Sequence, residues 1–328
     1  MNALFLAADG GNSKTDVVLG DASGEVLARV RGGTSSPHNI GLTGTIEVLG
    51  GLIASARARA GLSPDTVIDT IAVYLAGADL PIEVTRLHEA VSARGWATRA
   101  LVDNDCFALL RAGTSSPDAV TVVCGAGTNC VGRAADGRTA RFVALGPISG
   151  DWGGGHDLAE YALRKAARGE DGRGRPTKLS AAVAAHFGLP TVEEVSIALH
   201  LGGLSRDRIP ELTPLLFEVA ADGDEVAAGL VTRQAGEILA QHRVAAGRLN
   251  LLTAPHAVVL GGGVLQARIP LLHDQVVAGI SEQAPLADVT VLSTPPVTGA
   301  ALLALDTLHA AGDAERRLRA ALGGASAA

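Results

Sequence analysis

Aromatic side chains are scarce in this sequence: Phe, Trp and Tyr make up 3% of its 328 residues. Such a chain offers no series of stacking platforms for a polysaccharide or a single-stranded nucleic acid. Positive charge is short as well, because 27 Lys and Arg stand against 34 Asp and Glu, for a formal net charge of −7. That balance excludes the broad basic face needed to track a nucleic-acid backbone, so no nucleic-acid partner is expected; a nucleotide can still be held locally by backbone amides. Cysteine occurs only as Cys106, Cys124 and Cys130, an odd number without a CxxC pair. Neither a disulfide framework nor a four-thiolate metal site is signalled, and all three are expected to be packed thiols. None of the nine histidines stands in a zinc-binding spacing. No stretch approaches eighteen apolar residues free of charge or glycine, and Met1–Gly11 lacks a basic n-region. No membrane span or secretory signal is therefore expected, and the protein reads as cytoplasmic.

Glycine, by contrast, is abundant, with 41 residues in a chain that is 47% hydrophobic. The length suits two domains of ordinary size, each able to bury its own core. Ala3–Ala8, Thr15–Gly20 and Glu25–Val30 read as three strands separated by polar turns, an opening β-meander. Leu42, Ile46, Leu49 and Ile53 recur at helical spacing, with Gly61 as a stop. Thr70–Leu75 returns to strand, Pro81 starts a helix with Ile82, Leu87 and Val91 inward, and Arg99–Val102 is a further strand.

The same grammar restarts at Ala119–Cys124, which runs into Gly125-Ala126-Gly127-Thr128-Asn129 and a second strand, Val131–Arg133. This internal repeat of strand, Gly-rich turn and strand predicts duplicated domains whose glycine turns face a shared cleft. After Gly155 the chain reads as mainly helical, over Leu158–Arg168, Lys178–His186 and Asp224–Leu249, with a strand at Ala257–Leu260 and an exposed polar loop, Gly169–Pro176. A last helix runs from Thr298 towards Leu322, and the tail Gly323–Ala328 is expected to fray. The boundaries are set at 1–117, 118–297 and 298–328, the last packing back on the N-terminal domain.

Asp9-Gly10-Gly11-Asn12-Ser13-Lys14-Thr15 joins two strands, and its glycines let backbone N–H groups approach an anion closely. It is not a Walker A loop, because the GxxxxGK[ST] spacing is absent and a strand follows; read alone, a plain hairpin turn is the alternative. A third cluster, Gly261-Gly262-Gly263, follows Val258-Val259-Leu260. Three glycine clusters at strand ends suit ligand binding, since open α/β sheets bind at strand carboxyl ends.

These segments, with Val102–Asp105 and Gly146–Gly153, resemble the N-acetylglucosamine kinases and the related BadF/BadG/BcrA/BcrD-type ATPases of the actin-like sugar kinase superfamily. They stand in the family's order from residue 9 to about 300. The resemblance implies an α/β fold of two actin-like, ribonuclease H-like domains, each a mixed five-stranded sheet with flanking helices, and an interdomain active site. It also implies ATP and Mg²⁺ as cofactors, an amino sugar as partner and a homodimer. Asp9 would hold the metal, Gly10, Gly11, Asn12, Ser13, Lys14 and Thr15 the outer phosphates, and Gly125, Gly127 and Thr128 the phosphates from the second domain. Gly261, Gly262 and Gly263 would lie against the adenosine.

Asp105 matches the base that takes the proton from the sugar hydroxyl, a role worth roughly 10²–10⁴ in rate. The competing reading makes it the N-cap of the helix holding Phe107, Leu109 and Leu110; Asp103 is the rival carboxylate and could be the cap instead. Asn39, Asn129, Gly146 and Asp151 match sugar-contacting positions, and Asp151 is the firmest; Ser36-Pro37-His38-Asn39 can be aligned in more than one way. Many relatives follow this aspartate with glutamate, whereas here Trp152-Gly153-Gly154-Gly155-His156 follows, and Trp152 either faces the sugar or packs beneath the loop. The resemblance points to N-acetylglucosamine phosphorylated at its 6-hydroxyl, with glucosamine or N-acetylmuramic acid as alternatives. An ATPase that activates a reductase or dehydratase, which needs cluster-binding cysteines, and a sugar sensor without activity remain the competing readings.

Overall fold

A computed structural model describes residues 2–63, 65–310 and 312–323. The chain divides into two compact units, one formed by 1–121, 131–143 and 290–328 and the other by 122–130 and 144–289. The opening meander is β1 (Leu4–Gly10), β2 (Thr15–Asp21) and β3 (Val26–Gly32), followed by α1 (Pro37–Arg59), β4 (Thr70–Leu75), α2 (Pro81–Ser92), β5 (Arg99–Asn104) and α3 (Asp105–Gly113). The repeat begins with β6 (Ala119–Cys124), β7 (Thr128–Arg133) and β8 (Thr139–Arg141). The helices α4 (Gly154–Glu170), α5 (Leu179–Phe187), α6 (Val192–Leu201), α7 (Leu212–Ala221) and α8 (Glu225–Arg248) follow. The chain continues through β9 (His256–Gly261), α9 (Gly263–Gln266), α10 (Pro270–Gln283), β10 (Ala287–Val291), α11 (Val297–Thr307) and α12 (Gly312–Gly323).

Two five-stranded sheets result, ordered β3-β2-β1-β4-β5 and β10-β9-β6-β7-β8. Exchanging each strand of the first for the one five places later gives the second, so the duplication expected from the two Gly-rich turns holds for whole sheets. The first sheet is mixed: β1–β2 and β2–β3 are antiparallel, β1–β4 and β4–β5 parallel. Both faces of its centre are covered, which is why β1, β2 and β4 read as near-continuous apolar runs. Alternation sends Leu6, Val17, Leu19, Ile71 and Val73 towards α1 and α2. Phe5, Ala7, Val18, Ala72 and Tyr74 face the opposite way, into a cluster with residues of α3, α11 and α12. There α11 approaches α3 so closely that a Cβ on Gly299 would lie 1.7 Å from the Ala108 carbonyl oxygen.

Four readings need correction. Leu42 is 38% exposed, because α1 is kinked at Gly41 (φ 70°) and its core-facing stripe begins at Thr45, whose hydroxyl donates to the Ser35 and Gly41 carbonyls. Ile82 is 52% exposed, since the inner face of α2 follows Val84, Leu87 and Val91, and two residues before Val84 points away. The single C-terminal helix is two, separated at Leu308–Ala310, where His309 takes φ 50°. Neither Asp105 nor Asp103 caps α3: Asn104 does, its Oδ1 accepting from the Cys106 amide at 3.0 Å. The expected frayed tail lies, beyond Gly323, outside the described residues.

One helix, α1, is long and apolar enough by composition to cross a membrane, with a window hydropathy of 1.2. Its Ile46, Leu49, Ile53 and Ala56 are nevertheless spent on the core of the first sheet.

Candidate active site

In the first unit, the turn between β1 and β2 is closed by the Gly11 amide, which donates to the Lys14 carbonyl at 2.8 Å. Thr15, fully buried, donates to the Gly33 carbonyl and lies 2.8 Å from Ser35 Oγ, so the turn is anchored to the segment entering α1. Gly10 admits that anchor, since a Cβ there would lie 2.1 Å from Ser35 Oγ. Asn12, Ser13 and Lys14 are exposed at the tip. Asn39 reaches the same tip, its Nδ2 donating to the Asn12 carbonyl at 3.0 Å.

Asp9 is the next-to-last residue of β1, and its pKa is pushed well above the usual carboxylate range by burial, then by the Asp105 and Asp16 carboxylates, against a lowering by Lys14. Asp16 points its charge elsewhere, into Arg31 at 2.9 Å. Asp105, at the start of α3, is pushed up to about 6 by burial, offset by hydrogen bonds involving Cys106. Strands β1 and β5 flank β4 in parallel, and this register is what makes residues 9 and 105, distant in sequence, electrostatic neighbours.

Sequence reasoning missed Asp79 and Asn104. Asp79 lies just past the carboxyl end of β4; burial and then the Asp105 charge raise it to about 7, against the opposing pull of His38. Asn104 donates its side-chain amide to Asp79 Oδ1 at 2.8 Å while its Oδ1 caps α3. Glu83 accepts from the Asp79 and Leu80 amides and pairs with His38 Nε2 at 2.9 Å. Asp103 accepts from the Asn104 amide and pairs with Arg141, whose guanidinium also lies over the Phe107 ring. The one available signal was position: carboxylates and amides at the ends of adjacent parallel strands.

In the second unit, the turn 125–129 rests on the N-terminus of α4. The Gly155 amide donates to the Gly125 carbonyl at 2.7 Å and the His156 amide to the Ala126 carbonyl at 3.0 Å. A Cβ on Gly127 would meet nothing within 4 Å, so backbone there is open to a ligand at a helix end that favours anions. Thr128 Oγ1 accepts from Gln241 Nε2 at 3.4 Å, and Asn129 Oδ1 accepts from the Cys130 amide at 2.7 Å. Gly262 (φ 83°) passes so close to β6 that a Cβ would lie 2.4 Å from the Cys124 carbonyl carbon; Gly261 is buried and Gly263 exposed beside it.

The loop before α4 is self-tied: Ser149 Oγ donates to Asp151 Oδ2 at 2.6 Å, and the Asp151 amide to the Gly146 carbonyl at 3.1 Å. Trp152 does not face outward. It is 8% exposed, with its ring 5.3 Å from that of Tyr161 and beneath the Arg233 guanidinium at 4.0 Å. Gln234 Oε1, buried, accepts from the Gly154 amide at 2.8 Å and so fixes the start of α4.

The three cysteines are buried, and burial pushes the Cys124 thiol up to about 12 and the Cys130 thiol up as well.

The chain is 25% identical over 299 residues to the N-acetylmuramic acid/N-acetylglucosamine kinase of Clostridium acetobutylicum, covering 91% of this chain and 97% of that one. It is 26% identical over 329 residues to the N-acetyl-D-glucosamine kinase of Dictyostelium discoideum, covering 93% and 98%. Among solved structures, a protein from Chromobacterium violaceum superimposes with a TM-score of 0.72 at 22% identity over 93% of this chain and 99% of that one. A ROK family glucokinase from Streptomyces griseus, in complex with glucose and AMPPNP, gives 0.57 at 18% over 93% and 100%. The fold is therefore the actin-like one of the sugar kinases. The profile of the BadF/BadG/BcrA/BcrD ATPase family matches residues 8–304, and the chain belongs to that family.

Proposed function

We propose that the protein is an ATP-dependent kinase that phosphorylates an amino sugar, with N-acetylglucosamine at its 6-hydroxyl as first substrate. The observation that carries this reading is the pair Asp9 and Asp105, near enough that the Asp105 charge helps to raise the Asp9 pKa, one leading into the glycine turn and one at a helix start. Two carboxylates so placed suit a cation site beside a proton acceptor. The kinases of Clostridium acetobutylicum and Dictyostelium discoideum, matched over nearly their whole length, support the substrate class.

Asp105, with its pKa raised to about 6, is deprotonated at neutral pH yet basic enough to accept a proton. It takes the proton of the sugar hydroxyl while the sugar oxygen bonds to the γ-phosphorus of ATP and the bond to the ADP oxygen breaks. Asp9 offers hard oxygen donors where carboxylates crowd, which fits Mg²⁺; the ion would neutralise charge on the phosphates. Gly10–Thr15 hold the outer phosphates, the turn Gly125–Thr128, whose Gly125 amide is spent on the Gly127 carbonyl at 2.9 Å, offers its remaining backbone to them, and Gly261–Gly263 line the adenosine. Asn39, Asn129, Gly146 and Asp151 bind the sugar. The reading includes a homodimer working in the cytoplasm, for which sedimentation and localisation are the direct measurements.

An ATPase that serves a metal cluster fits less well, because the buried, protonated thiols of Cys124 and Cys130 are unsuited to ligate iron. The test is a coupled ADP-release assay with Mg-ATP over N-acetylglucosamine, glucosamine, N-acetylmuramic acid, N-acetylmannosamine, glucose and no sugar. Stimulation by one amino sugar is expected; equal ADP release with and without sugar would overturn the reading.

A further inference from the structure

The second unit holds a cavity of about 460 Å³ between α4, α8 and the loop 171–176. Lys165, on its wall, is eleven residues along α4 from Gly154, about 16 Å of helix at 1.5 Å per residue. Lys165, Arg168, Arg173, Arg175 and Arg233 line it, with Glu225 as the one lining carboxylate and Asp171 and Glu237 paired to Arg173 and Arg233 from outside. This concentration of positive charge belongs to a chain whose net charge is −7, so the cavity is electrostatically unlike the rest of the molecule.

Intramolecular pairing leaves part of that charge unspent. Arg175 pairs with Glu225 and Arg173 with Asp171 at the rim. Arg168 donates to a neutral acceptor, the Arg173 carbonyl, at 2.7 Å. Arg233 is 4.0 Å from Glu237 and lies over Trp152. Among the described residues the Lys165 side chain has no ion pair or hydrogen bond. Cations collected in a concave site, rather than scattered over a convex face, repel one another until an anion enters.

We infer that this cavity is a binding site for a small phosphate monoester. Its volume lies in the range of sites that enclose small molecules. A dianionic phosphate matches the excess of cations better than a single carboxylate would, and guanidinium forks meet phosphate oxygens in pairs. Gly229, on α8 in the cavity wall, leaves room for the remainder of the ligand, since a Cβ there would meet nothing within 4 Å.

The site is wired to the loop that carries Asp151. Arg233 belongs both to the cavity and to the face of Trp152, the residue after Asp151. The next residue on α8, Gln234, holds the Gly154 amide, and Gly154 packs so closely beneath the turn that a Cβ would lie 2.4 Å from the Gly127 Cα. An anion that draws Arg233 towards the cavity centre therefore weakens the cation over Trp152 and changes the environment of its indole.

That change supplies the test, which does not depend on the phosphotransfer reaction. In a Trp96→Phe background Trp152 is the sole tryptophan, and its emission is followed while the full-length protein is titrated with inorganic phosphate and, separately, with glucose 6-phosphate. A saturable change in emission is expected with at least one probe, weakening at least tenfold in affinity in Lys165→Gln/Arg168→Gln and on raising the salt from 50 to 500 mM. Tighter binding of the sugar phosphate would identify an organic phosphate as the occupant; equal affinities would identify phosphate itself. Lys165→Gln alone, at an exposed position with no partner to lose, keeps the test valid if the double variant misfolds, and at least a threefold loss is expected of it. No saturable change with either probe, or affinity within twofold of the parent in both variants, overturns the assignment.

Discussion

Asn104 donates its side-chain amide to Asp79 at 2.8 Å while its other side-chain atom caps the helix that begins with Asp105. One residue thus orients two carboxylates that sit next to each other at the ends of parallel strands β4 and β5. Asn104→Ala is expected to lose both bonds, lowering unfolding free energy by about 1–3 kcal/mol, measured by urea denaturation. Asn104→Asp keeps the cap but faces Asp79 with a second charge, so it should recover stability only at a pH low enough to protonate one of the pair. Equal stability of the wild type and Asn104→Ala would show that water replaces both bonds.

Asp105→Asn should reduce kcat by roughly a hundredfold or more with KM changed only a few fold, because the amide keeps the shape and loses the proton acceptor. Its stability should move the other way. The folded pKa, about 6, exceeds the usual 3.8, so the carboxyl's favourable contribution is complete below pH 4 and disappears as pH rises through 6. At pH 8 the Asn variant should be more stable by on the order of 2 kcal/mol. Thermal melts at pH 4 and pH 8 separate the two effects.

The acid limb of kcat/KM is expected near pH 6, following Asp105. Asp79, raised to about 7 by burial and then by the Asp105 charge, is mostly protonated at pH 6 and so places little charge against that ionisation. Asp79→Asn should therefore leave the limb near pH 6; a limb shifted to lower pH would show that Asp79 carries its charge when Asp105 ionises.

Gly299→Ala should destabilise the first unit by about 3 kcal/mol or more, since its methyl would lie 1.7 Å from the Ala108 carbonyl oxygen and α11 cannot retreat without opening the cluster on β1 and β4. A melting temperature within a degree of the wild type would mean that α3 and α11 separate easily.

His242 is fully buried, with Nε2 3.4 Å from His256 Nε2, and burial holds its pKa down at about 4 against the usual 6.5. The folded pKa is the lower one, so the associated stability is present above pH 6.5 and is lost as pH falls towards 4. The loss is on the order of 3 kcal/mol, and His242→Gln should flatten that part of the stability profile measured by urea titration between pH 7 and pH 4.5.

Much of this was legible from residue order because it is local. An apolar run ending in Asp9-Gly10-Gly11, and another ending in Gly125-Ala126-Gly127, carry strand, turn and strand in their own spacing, so the duplicated sheets could be read from the sequence. The glycines at 10 and 262 are likewise sequence-visible, although only the packing shows what each avoids: Ser35 Oγ for one and the β6 backbone for the other. The outward turn of Leu42 and Ile82, the break at Leu308–Ala310 and the cap at Asn104 were not legible. Helical phase and capping depend on where a neighbouring layer lies and on which of three adjacent polar residues, Asp103, Asn104 or Asp105, meets the free amide.

The sequence by itself determined the fold class, the family and the glycine turns, because spacing and residue type suffice for those. Tertiary structure alone decided that Asp9, Asp79 and Asp105 share one electrostatic neighbourhood and that Trp152 lies beneath Arg233. Proximity in a parallel sheet joins residues separated by whole crossover helices, and a pKa or a cation–ring contact falls off within a few ångströms, so neither can be computed from order along the chain.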